Sequence, residues 1–114
     1  MHNGFFRVAA CVPPVRVADV KANTDAIIEM IGTLEKKGVE LAVFPELCVT
    51  GYTCGDLFHS EELIEAASAA VHRIAESTAK LRVNVVVGAP MRFHDRLYNA
   101  AFVIGQGMVR LQKP

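Results

Sequence analysis

Three kinds of side chain in this sequence could carry proton-transfer or covalent chemistry: an isolated acid, three thiols and a lysine near the last residue. The acid is Glu46, in AVFPELCVTGY (residues 42–52), where an apolar run stops at Pro45. In open α/β sheets ligands bind beyond the carboxyl ends of the strands, and loops there are positioned by a rigid scaffold. Set among Leu41, Val43, Phe44 and Leu47, this carboxyl is expected to be partly desolvated. Desolvation favours the protonated form and suits an acid to proton transfer near neutral pH. The plain alternative is a solvated loop glutamate, or one that caps backbone N–H groups.

Cys48 stands two residues from Glu46, and Cys54 lies in a glycine-containing loop with no cation near it in sequence. Cys11 ends an apolar run. A nucleophilic cysteine needs a base and a cationic or dipolar setting that favours thiolate. Free cysteine is more often a small buried hydrophobe, and that is the expectation for all three. The C-x5-C pair has no second pair and no histidine at ligand spacing, so it makes a poor zinc site. Of the histidines, His2, His59, His72 and His94, none forms a metal-binding pattern. His72 is expected on a helix surface or rim. Neither a P-loop nor a GxGxxG motif is present. Lys113 reads either as an exposed lysine or as an ammonium placed to stabilise an oxyanion.

These residues need a scaffold, and the hydrophobic periods predict one. FFRVAACV (5–12) reads as a strand ended by Pro13–Pro14. In 18–38, Ile27, Met30, Ile31 and Leu34 recur at helical spacing, with Asp19 as N-cap, Lys36 and Lys37 in the last turn and Gly38 as the stop. VELAVF (39–44) reads as a buried strand ended by Pro45. Leu63, Ile64, Ala67, Val71, Ile74 and Thr78 predict a second helix after Ser60, with Glu61 and Glu62 in its first turn. VNVVVGAP (83–90) reads as a strand, and MRFHDR as a polar turn around His94–Asp95. Residues 97–112 read as two strands joined at Gly105–Gly107. The order β-α-β-α-β-β-β implies an α/β fold whose first three strands run parallel.

The chain of 114 residues, 52% hydrophobic and 21% charged, reads as one globular domain without an internal boundary. Its zero net charge and scattered basic residues argue against nucleic acid and against an anionic membrane surface. No apolar stretch reaches the length of a membrane span. MHNGFFRVAACVPPVRV lacks the cationic head of a secretion signal, so reduced thiols in a cytoplasm are expected.

AVFPELCVTGY resembles the first signature of the nitrilase, or carbon–nitrogen hydrolase, superfamily. More narrowly, FPELCVTGYTCGDLF (44–58), VVVGAPMRFHDRLYNAAFVIGQG (85–107) and the opening 4–27 are similar to the N-terminal glutaminase domain of the glutamine-dependent NAD synthetase family. The resemblance implies a nitrilase-like α-β-β-α sandwich, of which residues 1–114 would be the N-terminal portion, without the synthetase domain. It implies a Glu–Lys–Cys triad. Glu46 matches the general base, Lys113 the lysine that stabilises the tetrahedral intermediate, and Tyr52 the signature tyrosine lining the substrate site. Cys11, Cys48 and Cys54 do not match the nucleophile, which in the family lies well downstream of the lysine. The isolated 114 residues are therefore expected to be inactive. The implied function is glutamine amide hydrolysis, supplying ammonia to ATP-dependent conversion of deamido-NAD to NAD. No cofactor or metal is expected in this portion; ATP and Mg belong to the synthetase domain. A cytoplasmic homo-oligomer is expected. Two alternatives stay open: another amidase or carbamoylase of the superfamily, and a non-catalytic α/β binding or assembly module.

Overall fold

The computed structural model describes Gly4, residues 6–51 and residues 61–113. Along the chain lie β1 (Val8–Ala10), α1 (Val20–Lys36), β2 (Leu41–Val43), α2 (Glu61–Ser77), β3 (Asn84–Phe93), β4 (Arg96–Gly105) and β5 (Met108–Lys113). The Asp19 side chain accepts a hydrogen bond from the Ala22 N–H at 3.1 Å and starts α1. Asn23, Thr24, Ile27 and Ile31 form its buried stripe. The helix stops at Lys37, and Gly38 (φ +75°) takes the left-handed conformation that reverses the chain. In α2 the inward stripe is Leu63, Ile64, Ala67, Ala70, Val71, Ile74 and Ala75.

The five strands form one sheet in chain order, β1-β2-β3-β4-β5. The first three are parallel, as the β-α-β-α-β alternation predicts, and β3–β4–β5 is an antiparallel meander. Strands added in one direction by crossovers of one hand carry both helices to one face of the sheet. That face is the core. Ala42, Val85, Val87, Ala89, Ala100, Phe102 and Ile104 are buried on it. Alternate residues point the other way. Paired register puts Ala10, Val43, Val86, Val103 and Leu111 in one row across all five strands. This row forms an apolar stripe on the open face, with Leu111 57% exposed.

Several expected boundaries move, and the strand expected over 39–44 shortens to Leu41–Val43. Strand β1 is three residues long, shorter than the expected 5–12, of which Phe5 lies outside the described residues. Strand β3 is longer and runs through Pro90 to Phe93. Pairing with β2 ends at Val86, so Pro90 stands where β3 has a single neighbour and its missing N–H can face the unpaired side. The polar turn then shrinks to His94–Asp95, both at positive φ (50° and 61°), as a two-residue hairpin turn requires. The β4–β5 turn, Gln106–Gly107, has the same character (φ 48° and 81°). It is anchored on the end of α2, where the Gly107 N–H donates to Oγ1 of the buried Thr78 at 3.0 Å.

Candidate active site

Pro45 ends β2, and the chain then turns sharply. The N–H of Phe44 donates to the Val86 carbonyl (2.9 Å), the last bond of the parallel ladder. Leu47 adopts positive φ (53°), and the Gly51 N–H closes back on the Leu47 carbonyl at 2.7 Å. Two anchors hold this loop. The first is Gly88 in β3, whose carbonyl accepts from the Val49 N–H (3.2 Å) and from Sγ of Cys48 (3.7 Å). A Cβ at Gly88 would lie 2.4 Å from the Leu47 nitrogen and 3.0 Å from Cα of Glu46, so only glycine lets the loop approach the strand this closely. The second anchor is Asn23, buried in α1. Its Nδ2 donates to the carbonyls of Val49 (2.9 Å) and Arg16 (2.8 Å), and its Oδ1 accepts from the Arg16 N–H (2.7 Å). Both N–H groups and the carbonyl oxygen of one buried amide thus join two loops.

This arrangement sends Phe44, Leu47, Cys48 and Val49 into the core and leaves Glu46 exposed. The expectation of a carboxyl dried by its apolar neighbours is corrected here: Phe44 and Leu47 are buried, but Val43 is itself exposed and Glu46 stays open to solvent. The thiols follow the structural expectation. Cys11 and Cys48 are buried, and burial pushes the Cys48 thiol up to about 11 and raises that of Cys11. Neither is poised as thiolate near neutral pH. His72 is exposed on α2, as expected. Tyr52, Cys54, His2 and His59 lie outside the described residues. No group of acids, histidines and thiols able to hold a metal is found among the described residues.

Lys113 reaches the same place by a different route. Strand β5 pairs Ile104 with Val109 but Val103 with Leu111. Arg110 is therefore the extra residue of a β-bulge. In unbroken register Lys113 would fall opposite Ala100, which is buried against the helices. The bulge shifts it opposite Ala101. Ala101 in turn pairs with Gly88, so Lys113, Ala101 and Gly88 form one row on the open face, and Glu46 stands over the Gly88 end. Phe44, Glu46, Gly88, Asn99, Ala101 and Lys113 line a single cavity of about 320 Å³. Its floor is made of the two smallest residues, which leaves open space between acid and lysine. Asn99, two residues along β4 from Ala101, donates from Nδ2 to Oε1 of Glu46.

Sequence reasoning named Glu46 and Lys113 and missed Gly88, Asn23 and Asn99. A glycine inside the β-branched run VVVGAP signals close backbone approach and could have been found. Asn99 could not, because its face depends on the β3–β4 register.

Residues 7–113 match the carbon–nitrogen hydrolase family. The chain is 38% identical over 108 residues to the glutamine-dependent NAD(+) synthetase of Mycobacterium tuberculosis, covering 95% of this chain and 16% of that protein. It superposes on the glutamine-dependent NAD(+) synthetase of Cytophaga hutchinsonii with a TM-score of 0.88 at 30% identity, covering 94% of this chain and 18% of that one. An amidase from Nesterenkonia sp. shares the fold at 21% identity (TM-score 0.75; 94% of this chain, 41% of that one). The chain thus spans less than a fifth of the length of these synthetases. A strand-end glutamate and a bulge-presented lysine facing each other across one small-floored cavity accord with the match that runs through nearly every residue: this chain belongs to the carbon–nitrogen hydrolase family.

Proposed function

We propose that these residues form the base-and-lysine part of a glutamine amidase that supplies ammonia for NAD synthesis. Glu46 is the general base and Lys113 stabilises the oxyanion of the tetrahedral intermediate. Tyr52 lines the substrate site. The nucleophile is a cysteine other than Cys11, Cys48 and Cys54, contributed by sequence beyond these 114 residues. Its thiol gives its proton to Glu46 and attacks the side-chain amide of glutamine. Glu46 returns that proton to the leaving nitrogen, ammonia leaves as the thioester forms, and water activated by the freed Glu46 carboxylate then releases glutamate. The ammonia passes to a separate domain that uses ATP and Mg to convert deamido-NAD to NAD. This portion binds no cofactor, and the protein works in the cytoplasm as a homo-oligomer.

The observation that carries this reading is the shared cavity. Glu46 and Lys113 come from elements remote in sequence and line one space on the open face. The identity to glutamine-dependent NAD(+) synthetases points to glutamine as the amide. The test is ammonia release from glutamine by the full-length protein, with and without deamido-NAD and ATP, in wild type and Glu46→Gln. Release that needs Glu46 and is coupled to NAD formation supports the reading. Cleavage of another amide with no release from glutamine would favour an amidase or carbamoylase, and no turnover of any amide would favour a non-catalytic module.

A further inference from the structure

Asn99 is out of place by the rules of folding alone. Asparagine is depleted in β-strands, where its short polar side chain competes for backbone hydrogen bonds. Yet it sits inside β4, paired with Pro90, and is exposed. An exposed mid-strand position has no packing need for an amide. What this one does have is a hydrogen bond from Nδ2 to Oε1 of Glu46, made inside the cavity that Lys113 also lines.

We propose that Asn99 is the positioning residue of the general base. This rests on the glutamine-amidase reading of the cavity and goes one residue beyond it. The amide combines two things that no other side chain lining the cavity offers together. Its N–H donates into a carboxylate oxygen of Glu46. It is itself neutral and does not titrate in the working range, so it orients the acid without taking the proton the acid must move. An ammonium such as that of Lys113 in the same role would compete for the carboxylate as a full charge. The bond to Oε1 also restrains the plane of the carboxylate. A general base works within hydrogen-bond reach of the proton it takes. Holding it there lowers kcat when lost, while glutamine binding is left largely alone.

The experiment compares full-length wild type, Asn99→Ala, Asn99→Asp and Glu46→Gln by kcat and KM for ammonia release from glutamine at one pH. In Asn99→Ala, kcat is expected to fall about tenfold with KM within about twofold. Asn99→Asp keeps the shape of the side chain but has no N–H to donate, and its kcat is expected to fall at least as far. Unfolding temperature stays near wild type, since the side chain is exposed. An Asn99→Ala kcat equal to wild type, or a loss carried by KM instead of kcat, overturns the proposal while the amidase reading stands. Unimpaired turnover by Glu46→Gln overturns both.

Discussion

Gly88→Ala is the sharpest test of how the strand holds the loop that carries Glu46. The added Cβ would lie 2.4 Å from the Leu47 nitrogen, 3.0 Å from Cα and 3.1 Å from the carbonyl carbon of Glu46. All three are backbone atoms, so no side-chain rotation relieves the overlap. Ordinary contact begins at roughly 3.5 Å, which requires the loop to retreat by about 1 Å. Retreat strains the Val49–Gly88 and Asn23–Val49 hydrogen bonds, and overpacking of this kind costs about 1–3 kcal/mol. A displacement of 1 Å at a reacting group costs roughly a hundredfold in rate. The full-length Gly88→Ala protein should therefore melt several degrees lower and release ammonia from glutamine about a hundredfold more slowly. Gly32→Ala is the internal control. Gly32 lies within α1 with nothing within 4 Å of a built Cβ, so this change should stabilise by about 0.5–1 kcal/mol and leave the rate alone. Wild-type rate and melting temperature in Gly88→Ala would refute the claim that strand–loop contact sets the position of Glu46.

Two further outcomes follow from the same geometry. Deleting Gln112 places Lys113 opposite Phe102 on the helix face, so activity should fall to that of Lys113→Ala measured in the same assay; a deletion variant that stays well above Lys113→Ala would dissociate strand parity from the lysine. Burial raises the Cys48 thiol from its ordinary 9.0 to about 11, so the unfolded state loses this proton first as pH rises. Its stabilising contribution, roughly 2 kcal/mol, is full below about pH 9 and is lost as pH climbs towards 11. Denaturant titrations of wild type and Cys48→Ala across that window should converge by this amount, and parallel curves would contradict it.

The elements were legible where one period dominates. The stripe Ile27–Ile31 and the cap Asp19 defined α1, and the repeat from Leu63 to Ile74 defined α2, because a helix reports its burial every three or four residues along a continuous stretch. Parallel strands β1 to β3 followed from the alternation with helices. Strand ends were less legible. Pro90 marks a strand end when the strand has neighbours on both sides, and β3 outruns β2 by several residues, so the proline stayed inside. That is a fact about a different strand, which no local window around Pro90 contains.

The site divides along the same line. Glu46 announces itself because Pro45 ends a buried run immediately before it, a purely local pattern. Its surroundings do not follow from its sequence neighbours. Phe44 and Leu47 look like part of a drying shell in the sequence, but in space they are buried while Glu46 stays exposed. Lys113 depends on parity. Whether the bulge at Arg110 forms decides whether the lysine faces the cavity or the helices, because a bulge shifts every later residue of the strand out of simple alternation. Asn99 depends on register across β3 and β4. What chemistry needs here is one face of one sheet, assembled from β2, β3, β4 and β5. Faces are properties of pairing, so the residues that set pairing, Gly88 and Arg110 among them, belong to the site as much as the groups that would move protons.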